Sequence, residues 1–138
     1  MKKFIYILSI ALMTFACANE PDGKATDTIK PSTRDVYFDS QGGSYTVTTK
    51  GEWWSMGDAL GIDQEEIDRE ITLDETGNYP GIIKVEGTWF VVSRDDKTTI
   101  TISTTTNNTG ADRGFLLDLR AGNYYTAIKV KQAGQVNE

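Results

Sequence analysis

Five short runs in which β-branched or aromatic residues alternate with polar ones limit this chain to a β fold. They are VYFD (36–39), GSYTVTTK (43–50), TTITISTT (98–105), RGFLLDLR (113–120) and YYTAIKVKQ (124–132), and clusters of Gly, Asn and Asp separate them. Successive side chains of a strand point to opposite faces of its sheet, so a period of two indicates strands with one buried face. Short strands of this kind without a long helix predict an all-β domain, an antiparallel β-sandwich.

Alternation also predicts which side of each strand faces the core. The apolar positions of one parity point inward, while Thr, Lys, Asp and Arg occupy the other face. The predicted inward set is Val36, Phe38, Tyr45, Val47, Ile100, Ile102, Phe115, Leu117, Leu119, Ile128 and Val130. The tripeptide AGN (121–123) predicts a tight hairpin between the last two strands.

The middle of the chain allows two interpretations. GIDQEEIDREI (61–71) matches a short helix capped by Asp63, with Glu66 three residues further on. REITLDETGNYPGIIKVEG (69–87) matches a hairpin that turns at Gly77–Gly81. We expect the hairpin, with one helical turn before it.

The first 16 residues have the features of an export signal. Lys2 and Lys3 form a positively charged start, residues 4–15 an apolar run, and Ala16 a small residue at a cleavage point. A helix that spans a bilayer needs about 20 apolar residues, so this run is too short to serve as a membrane domain. We expect residues 1–16 to be a signal peptide.

Cys17, which follows this signal, is the only cysteine of the chain. It has no second thiol for a disulfide and no histidine with which to share a zinc or catalytic site. The sequence TFAC (14–17) resembles the lipobox of bacterial lipoproteins, which implies a diacylglycerol anchor on the Cys17 sulfur. Residues 17–34 would then be the lipidated cysteine with a flexible tether, and residues 35–138 the folded domain.

The acidic residues indicate where the protein is located in the cell and which partners it can bind. Glu20 and Asp22 resemble the surface-export signals of gut Bacteroidetes lipoproteins, which implies an outer-membrane anchor with the domain at the cell surface. Removing residues 1–16 would take two of the 14 basic residues and none of the 20 acidic ones, leaving a net charge of about −8. This negative balance argues against nucleic acid as a partner and makes anionic lipid headgroups poor partners for the folded part.

Catalysis and metal binding are not expected. The chain has no histidine and no nucleophile-elbow, phosphate-loop or dinucleotide fingerprint. Eight acids lie between Asp58 and Glu75, opposed only by Arg69, and this run favours either a calcium site or a solvated charged segment. Asp68 occupies the sixth position from Asp63, where the calcium loop of an EF-hand requires Gly. We expect a solvated segment, no metal ion, no cofactor and no enzyme activity.

Adjacent aromatic pairs are the candidate binding residues. Neighbours on a strand point to opposite faces, so if all three pairs lie on strands, one ring of each pair must face outward. Exposed rings offer flat apolar faces on which a sugar can stack, although loops or cross-strand packing can equally cover them. Parity predicts that Trp53 and Tyr125 face outward and that Trp54 and Tyr124 face inward, whereas it leaves Trp89 and Phe90 undecided. The candidate ligand-binding residues are Trp53, Trp89 and Tyr125.

Several segments, in their order along the chain, resemble the BACON domain of Bacteroidetes. They are QGGSYTVTT (41–49), WFVVS (89–93), TTITISTTTNNTGADRGFLLDL (98–119) and TAIKVKQAG (126–134). The resemblance covers residues 34–134 and implies an immunoglobulin-like β-sandwich with a carbohydrate-binding role. The family brings no agreed set of binding residues to this chain.

Two functions are compatible with these features. The first is a membrane-anchored surface lipoprotein whose single module binds glycan without catalysis. The second is a structural or assembly module that docks on a neighbouring outer-membrane protein and takes no small ligand. Because the sequence ends at Glu138, shortly after the last predicted strand, we expect the domain to make these contacts itself rather than to act as a spacer.

Overall fold

A computed structural model describes residues 26–63 and 65–136. Within these ranges the regular structure consists of strands alone, as the sequence predicts for an all-β protein. They contain no helix that could span a membrane. The nine strands are β1 (Asp35–Phe38), β2 (Gly43–Thr48), β3 (Ser55–Gly61), β4 (Arg69–Leu73), β5 (Ile82–Gly87), β6 (Phe90–Arg94), β7 (Thr99–Thr104), β8 (Arg113–Ala121) and β9 (Tyr124–Gln132).

All nine strands belong to one mixed sheet that is nearly barrel-shaped. Its order is β1-β9-β8-β3-β5-β6-β7-β2, and β4 pairs with β5 beside this path. Every strand pair is antiparallel except β1 with β9, which is parallel. The prediction of a purely antiparallel arrangement is therefore wrong at this pair, because β1 reaches β9 from the far side of the sheet.

The segment before β1 explains both the parallel pair and the near closure. Pro31 forms an antiparallel bridge with Thr49, and the Ser32 backbone N–H donates to the Thr48 carbonyl at the end of β2. The chain then crosses to β9, where Asp35 pairs with Lys129. Residues 31–38 thus contact both edges of the sheet in succession.

The core lies inside the curved sheet and confirms most of the predicted faces. The buried apolar side chains are Ile29, Val36, Val47, Trp54, Met56, Ala59, Val85, Phe90, Val92, Ile100, Ile102, Phe115, Leu117, Leu119, Ile128 and Val130. Phe38 is half-buried and packs against this set. Tyr45 pairs with the buried Ile102 but is itself 42% exposed, so the prediction that it belongs to the core is wrong. It lies on β2, the last strand in the order, where only β7 provides a neighbouring strand.

The described part of the predicted tether, residues 26–34, packs onto the domain. Ile29 is fully buried, and its carbonyl accepts backbone N–H groups from Lys50 and Gly51. The Asp27 carboxylate accepts the N–H groups of Ile29 and Lys30, which fixes the local turn. The free tether predicted over residues 17–34 is therefore wrong for residues 26–34. The signal peptide (1–16), Cys17 and the rest of the tether lie outside the described residues.

The middle of the chain forms the predicted hairpin. Strands β4 and β5 pair antiparallel, and the Asp74 carboxylate accepts the backbone N–H groups of Thr76 and Tyr79 in the connection between them. Gly77 has a φ of 74°, a value that few side-chain-bearing residues adopt. The predicted helical turn is not seen on either side of residue 64, which itself lies outside the described ranges.

Candidate functional site

Four connections meet at one end of the sheet and enclose a cleft of about 620 Å³. Volumes of about 300–1,000 Å³ are usual for small-ligand sites. The walls come from the β2–β3 connection, the β4–β5 turn, the β6–β7 turn and the β8–β9 hairpin. The lining residues are Glu52, Trp53, Trp54, Ser55, Gly77, Asn78, Tyr79, Pro80, Arg94, Lys97, Arg120, Ala121 and Gly122.

Arg94 lies at the base of this cleft and is only 5% exposed. Its Nη1 donates to the Trp54 carbonyl at 2.6 Å, and its Nη2 donates to the carbonyls of Glu52 at 3.4 Å and Lys97 at 3.2 Å. Its Nε donates to the Asp96 carbonyl at 3.2 Å. One side chain therefore ties the β2–β3 connection to the β6–β7 turn.

Two aromatic rings cover the Arg94 guanidinium. Its central carbon lies 3.6 Å from the centroid of the Trp54 ring and 4.7 Å from that of Tyr79. Both distances are within the range of cation–π attraction. Burial lowers the pKa of the Arg94 guanidinium, although an arginine remains protonated at neutral pH. The base of the cleft therefore carries a fixed positive charge.

Trp53 and Trp54 point in opposite directions, as their parity predicts. Trp54 is 2% exposed, and its Nε1 donates to the Thr49 hydroxyl and to the Gly51 carbonyl, both at 3.1 Å. Those two hydrogen bonds hold the Trp54 indole inside, whereas the preceding ring faces the solvent. Trp53 is 87% exposed and forms part of the cleft wall.

Tyr125 lies at the same end of the molecule, on strand β9. It pairs with Arg120 across the β8–β9 hairpin, and the Arg120 guanidinium carbon lies 5.0 Å from the centroid of the tyrosine ring. Arg120 also donates from its Nε to the Gly122 carbonyl at 3.3 Å. Tyr125 is 65% exposed, as predicted, and supports a cleft residue without lining the cleft itself.

Trp89 lies at the opposite end of the sheet and is half-buried. Its ring centroid is 5.0 Å from that of Phe90 and 5.6 Å from that of Phe115, and Arg113 stacks over it at 4.4 Å. Phe90 is the inward member of the pair, at 2% exposure. The structure thus places two of the three candidate residues at the cleft end and separates Trp89 from them.

The cleft lining contains three basic side chains that no sequence pattern marked as candidates: Arg94, Lys97 and Arg120. For Arg94 the signal was present, because it shares the parity of Phe90 and Val92 along β6, and all three are buried. We expected charged residues on the outer face, and the sequence RDDK (94–97) reads as a solvated turn. Lys97 and Arg120 became candidates only when the fold brought their connections together.

The acidic segment is partly built into the sheet instead of being wholly solvated. Asp58 on β3 accepts hydrogen bonds from the Arg69 guanidinium on β4, with Nε 3.0 Å from Oδ1. These bonds, together with the backbone N–H of Ala59, hold the pKa of the Asp58 carboxyl below its usual value. Among the described residues, no three acidic, histidine or cysteine side chains lie together as a metal site would need.

Comparisons with known proteins give structural matches alone. No family model and no curated protein matches this chain. A protein from Bacteroides thetaiotaomicron solved by NMR matches with a TM-score of 0.60 at 19% identity, covering 88% of this chain and 99% of its own. A Bacteroides ovatus GH5 xyloglucanase, solved with a heptasaccharide, matches with a TM-score of 0.44 at 19% identity over 74% of this chain and 17% of its own. An endo-fucoidan hydrolase of glycoside hydrolase family 107 matches with a TM-score of 0.46 at 12% identity over 83% of this chain and 15% of its own. The likeness to the Bacteroides thetaiotaomicron protein extends over the whole domain and shows a shared fold.

Proposed function

We propose that this protein is a lipid-anchored surface protein whose β domain binds glycan without catalysis, in the cleft at one end of the sheet. The observation that carries the proposal is Trp53, whose ring is 87% exposed on the wall of that cleft. Single exposed rings are common on protein surfaces, but a ring on the wall of a cleft that also contains several polar groups is the arrangement typical of a small-ligand site. The resemblance to BACON domains supports the same assignment.

The cleft has the chemical groups that a sugar needs. The indole face of Trp53 offers an apolar surface for the C–H groups of a pyranose ring. Around it, the exposed side chains of Asn78, Lys97 and Arg120 provide hydrogen-bond donors for hydroxyl groups, and Glu52 provides an acceptor. We also propose that the domain is an immunoglobulin-like sandwich. Its first segment contacts β2 and then pairs with β9, at opposite ends of the strand order, as a strand does when it passes from one sheet of a sandwich to the other.

Changing Trp53 to alanine is expected to weaken glycan binding at least tenfold and to leave the melting temperature nearly unchanged. Removing a ring that a ligand covers typically costs about 2 kcal/mol or more of binding free energy, whereas an exposed ring contributes little to folding. A glycan array identifies ligands of the full chain in mild detergent, and tryptophan fluorescence titration then measures their affinity.

The matched control for that experiment is Tyr37→Ala. Tyr37 is also well exposed, at 69%, but it lies on β1 away from the cleft residues. Equal affinities for the two variants and the wild-type protein would place the binding surface elsewhere. A melting temperature many degrees lower for Trp53→Ala would show that the ring supports the fold.

Membrane attachment is tested separately through Cys17, which lies outside the described residues. Changing Cys17 to serine is expected to move the protein from the membrane fraction to the soluble fraction, because a thioether to diacylglycerol needs the sulfur. Mass spectrometry of the native protein is expected to show a lipid adduct at this position. An unmodified thiol would contradict the proposed anchor.

One observation favours the alternative of docking on another outer-membrane protein. Within the described part of the chain, strand β4 pairs only with β5, and its Ile71 and Leu73 side chains are 42% and 60% exposed. An exposed apolar edge strand is a surface on which another chain can pair. If Ile71→Thr/Leu73→Thr abolished a complex with a membrane protein while no glycan bound, the docking function would replace the glycan-binding one.

A further inference from the structure

The charge of the cleft is opposite to that of the protein. The whole chain has 14 basic and 20 acidic residues, a net charge of −6. The cleft lining, however, contains three cations, Arg94, Lys97 and Arg120, and a single acid, Glu52. A positive cleft in an acidic protein attracts negatively charged ligands, while the remaining surface repels them.

Arg94 carries a buried positive charge at the base of this cleft. A buried arginine is normally paired with a carboxylate, because removing an ion from water is costly. Here the four bonds of the guanidinium all go to backbone carbonyls, and no carboxylate within the described ranges forms an ion pair with it. Carbonyl oxygens satisfy its N–H groups but leave the formal charge without a counter-ion.

Lys97 and Arg120 add charge that a ligand can reach. Both side chains are exposed, and neither is in an ion pair with any residue that the structure describes. The Arg120 Nε donates to Gly122, and the ring of Tyr125 supports the guanidinium. Within the same part of the chain its terminal N–H groups have no partner. A supported, planar guanidinium is well suited to bind carboxylate or sulfate oxygens in pairs.

Among the described residues, the acids near the cleft form no ion pair with its three cations, although the Asp96 carboxylate attracts the Arg94 guanidinium. Asp74 and Asp96 accept the backbone N–H groups of their own turns, and neither lines the cleft. Glu52 is exposed at the wall beside Trp53. The base of the cleft, with Arg94, and the wall formed by the β8–β9 hairpin, with Arg120, are therefore positively charged. The one acidic group of the lining, Glu52, lies on the wall beside Trp53.

We propose that the cleft binds an anionic glycan, one that carries carboxylate or sulfate groups. This proposal rests on the glycan-binding function and specifies its ligand class. The sugar ring stacks on Trp53, and its anionic substituents contact Arg120 and Lys97 above the buried charge of Arg94. The carboxylate of a uronic acid and a sulfate ester share this chemistry.

Matched pairs of polymers test the proposal on the full chain in mild detergent. Polygalacturonate is compared with its fully methyl-esterified form, and dextran sulfate with unmodified dextran. We expect binding at least tenfold tighter to the charged member of one pair, weakening as salt rises from 50 to 500 mM. The pair that shows the difference identifies carboxylate or sulfate as the recognised group.

Variants then locate the binding. Arg120→Ala and Lys97→Ala are expected to reduce affinity for the charged polymer about fivefold to tenfold each. The control, Lys131→Ala, removes an exposed lysine that lies outside the cleft lining and is expected to have no effect. An equal loss in Lys131→Ala would indicate general electrostatic association and overturn the site.

The outcomes separate this inference from the function on which it rests. If neutral glycans bind as tightly as charged ones and Trp53→Ala weakens them, glycan binding stands and the anionic preference is wrong. If no polymer and no array glycan binds, both are wrong.

Discussion

Replacing Ile128 with aspartate is expected to remove most of the stability of the domain. Ile128 is fully buried on β9, directly opposite Leu117 of β8, at the centre of the apolar core. An unpaired carboxylate there costs several kcal/mol in addition to the lost apolar burial. Domains of this size have a total stability of about 5–15 kcal/mol, so this one substitution removes most of it. Circular dichroism during urea and thermal denaturation measures the loss.

The matched control is Lys131→Asp, on the same strand but on its exposed face. Position 129 is less suitable, because Asp35 is the direct partner of Lys129 on β1 and would repel a new acid. We expect Lys131→Asp to change the unfolding free energy by about 0.5 kcal/mol or less. Similar melting curves for the two variants would contradict the orientation of β9 described above.

Changing Arg94 to alanine is expected to lower the unfolding free energy by about 3 kcal/mol, and the melting temperature by roughly 10 °C or more. The loss has two causes. Carbonyls of two connections lose their donor, and the Trp54 and Tyr79 rings lose the cation between them. Differential scanning calorimetry measures the shift.

Two further variants define what Arg94 contributes. Arg94→Lys keeps the charge but cannot provide the planar fork that reaches four carbonyls, so we expect it to recover only part of the stability. Arg120→Ala removes an exposed arginine from the same cleft and is expected to leave the melting temperature nearly unchanged. An Arg94→Ala protein as stable as the wild type would mean that water replaces the guanidinium at no cost.

Strands in which apolar and polar residues alternate regularly could be predicted from the sequence, because this alternation is visible within each strand alone. Residues such as Ile100, Leu117 and Ile128 fall on the buried face where a period of two places them. Strand β3 (SMGDALG) could not be predicted in this way. It has no β-branched residue, and its register shifts between Met56 and Ala59, which interrupts the alternation.

Other features depend on contacts between residues that are distant in the sequence. Ile29 is a single apolar residue in a polar segment, and only the packing of residues 26–34 against the domain shows that it belongs to the core. Tyr45 has the parity of a core residue, yet it lies on the terminal strand of the sheet order, where the cover is incomplete. Parity predicts the direction of a side chain, whereas burial also requires a neighbour.

Only part of the candidate site could be predicted, because the site also depends on contacts between residues that are distant in the sequence. Parity correctly oriented Tyr125 on β9, and Trp53 is exposed as predicted although it lies in the β2–β3 connection and not on a strand. Parity gave no information on which connections meet, and so it grouped Trp89 with them although the sheet places that ring at the other end. Arg94 and Lys97 come from the end of β6 and the turn after it, whereas Arg120 comes from β8, and no local pattern links the two places.

Because β1, the first strand, pairs with β9, the last one, the sheet cannot be completed before β9 is available. Just before β1, the Arg34 Nε donates a hydrogen bond to the hydroxyl of Thr126 on β9, which lies 92 positions later in the sequence. Closing so long a loop costs entropy, which slows folding relative to proteins with local contacts. Nascent chains that stop before Tyr124 leave β1 and β8 with open edges that invite aggregation. The domain is therefore expected to fold as one unit only after its last strand has been synthesised.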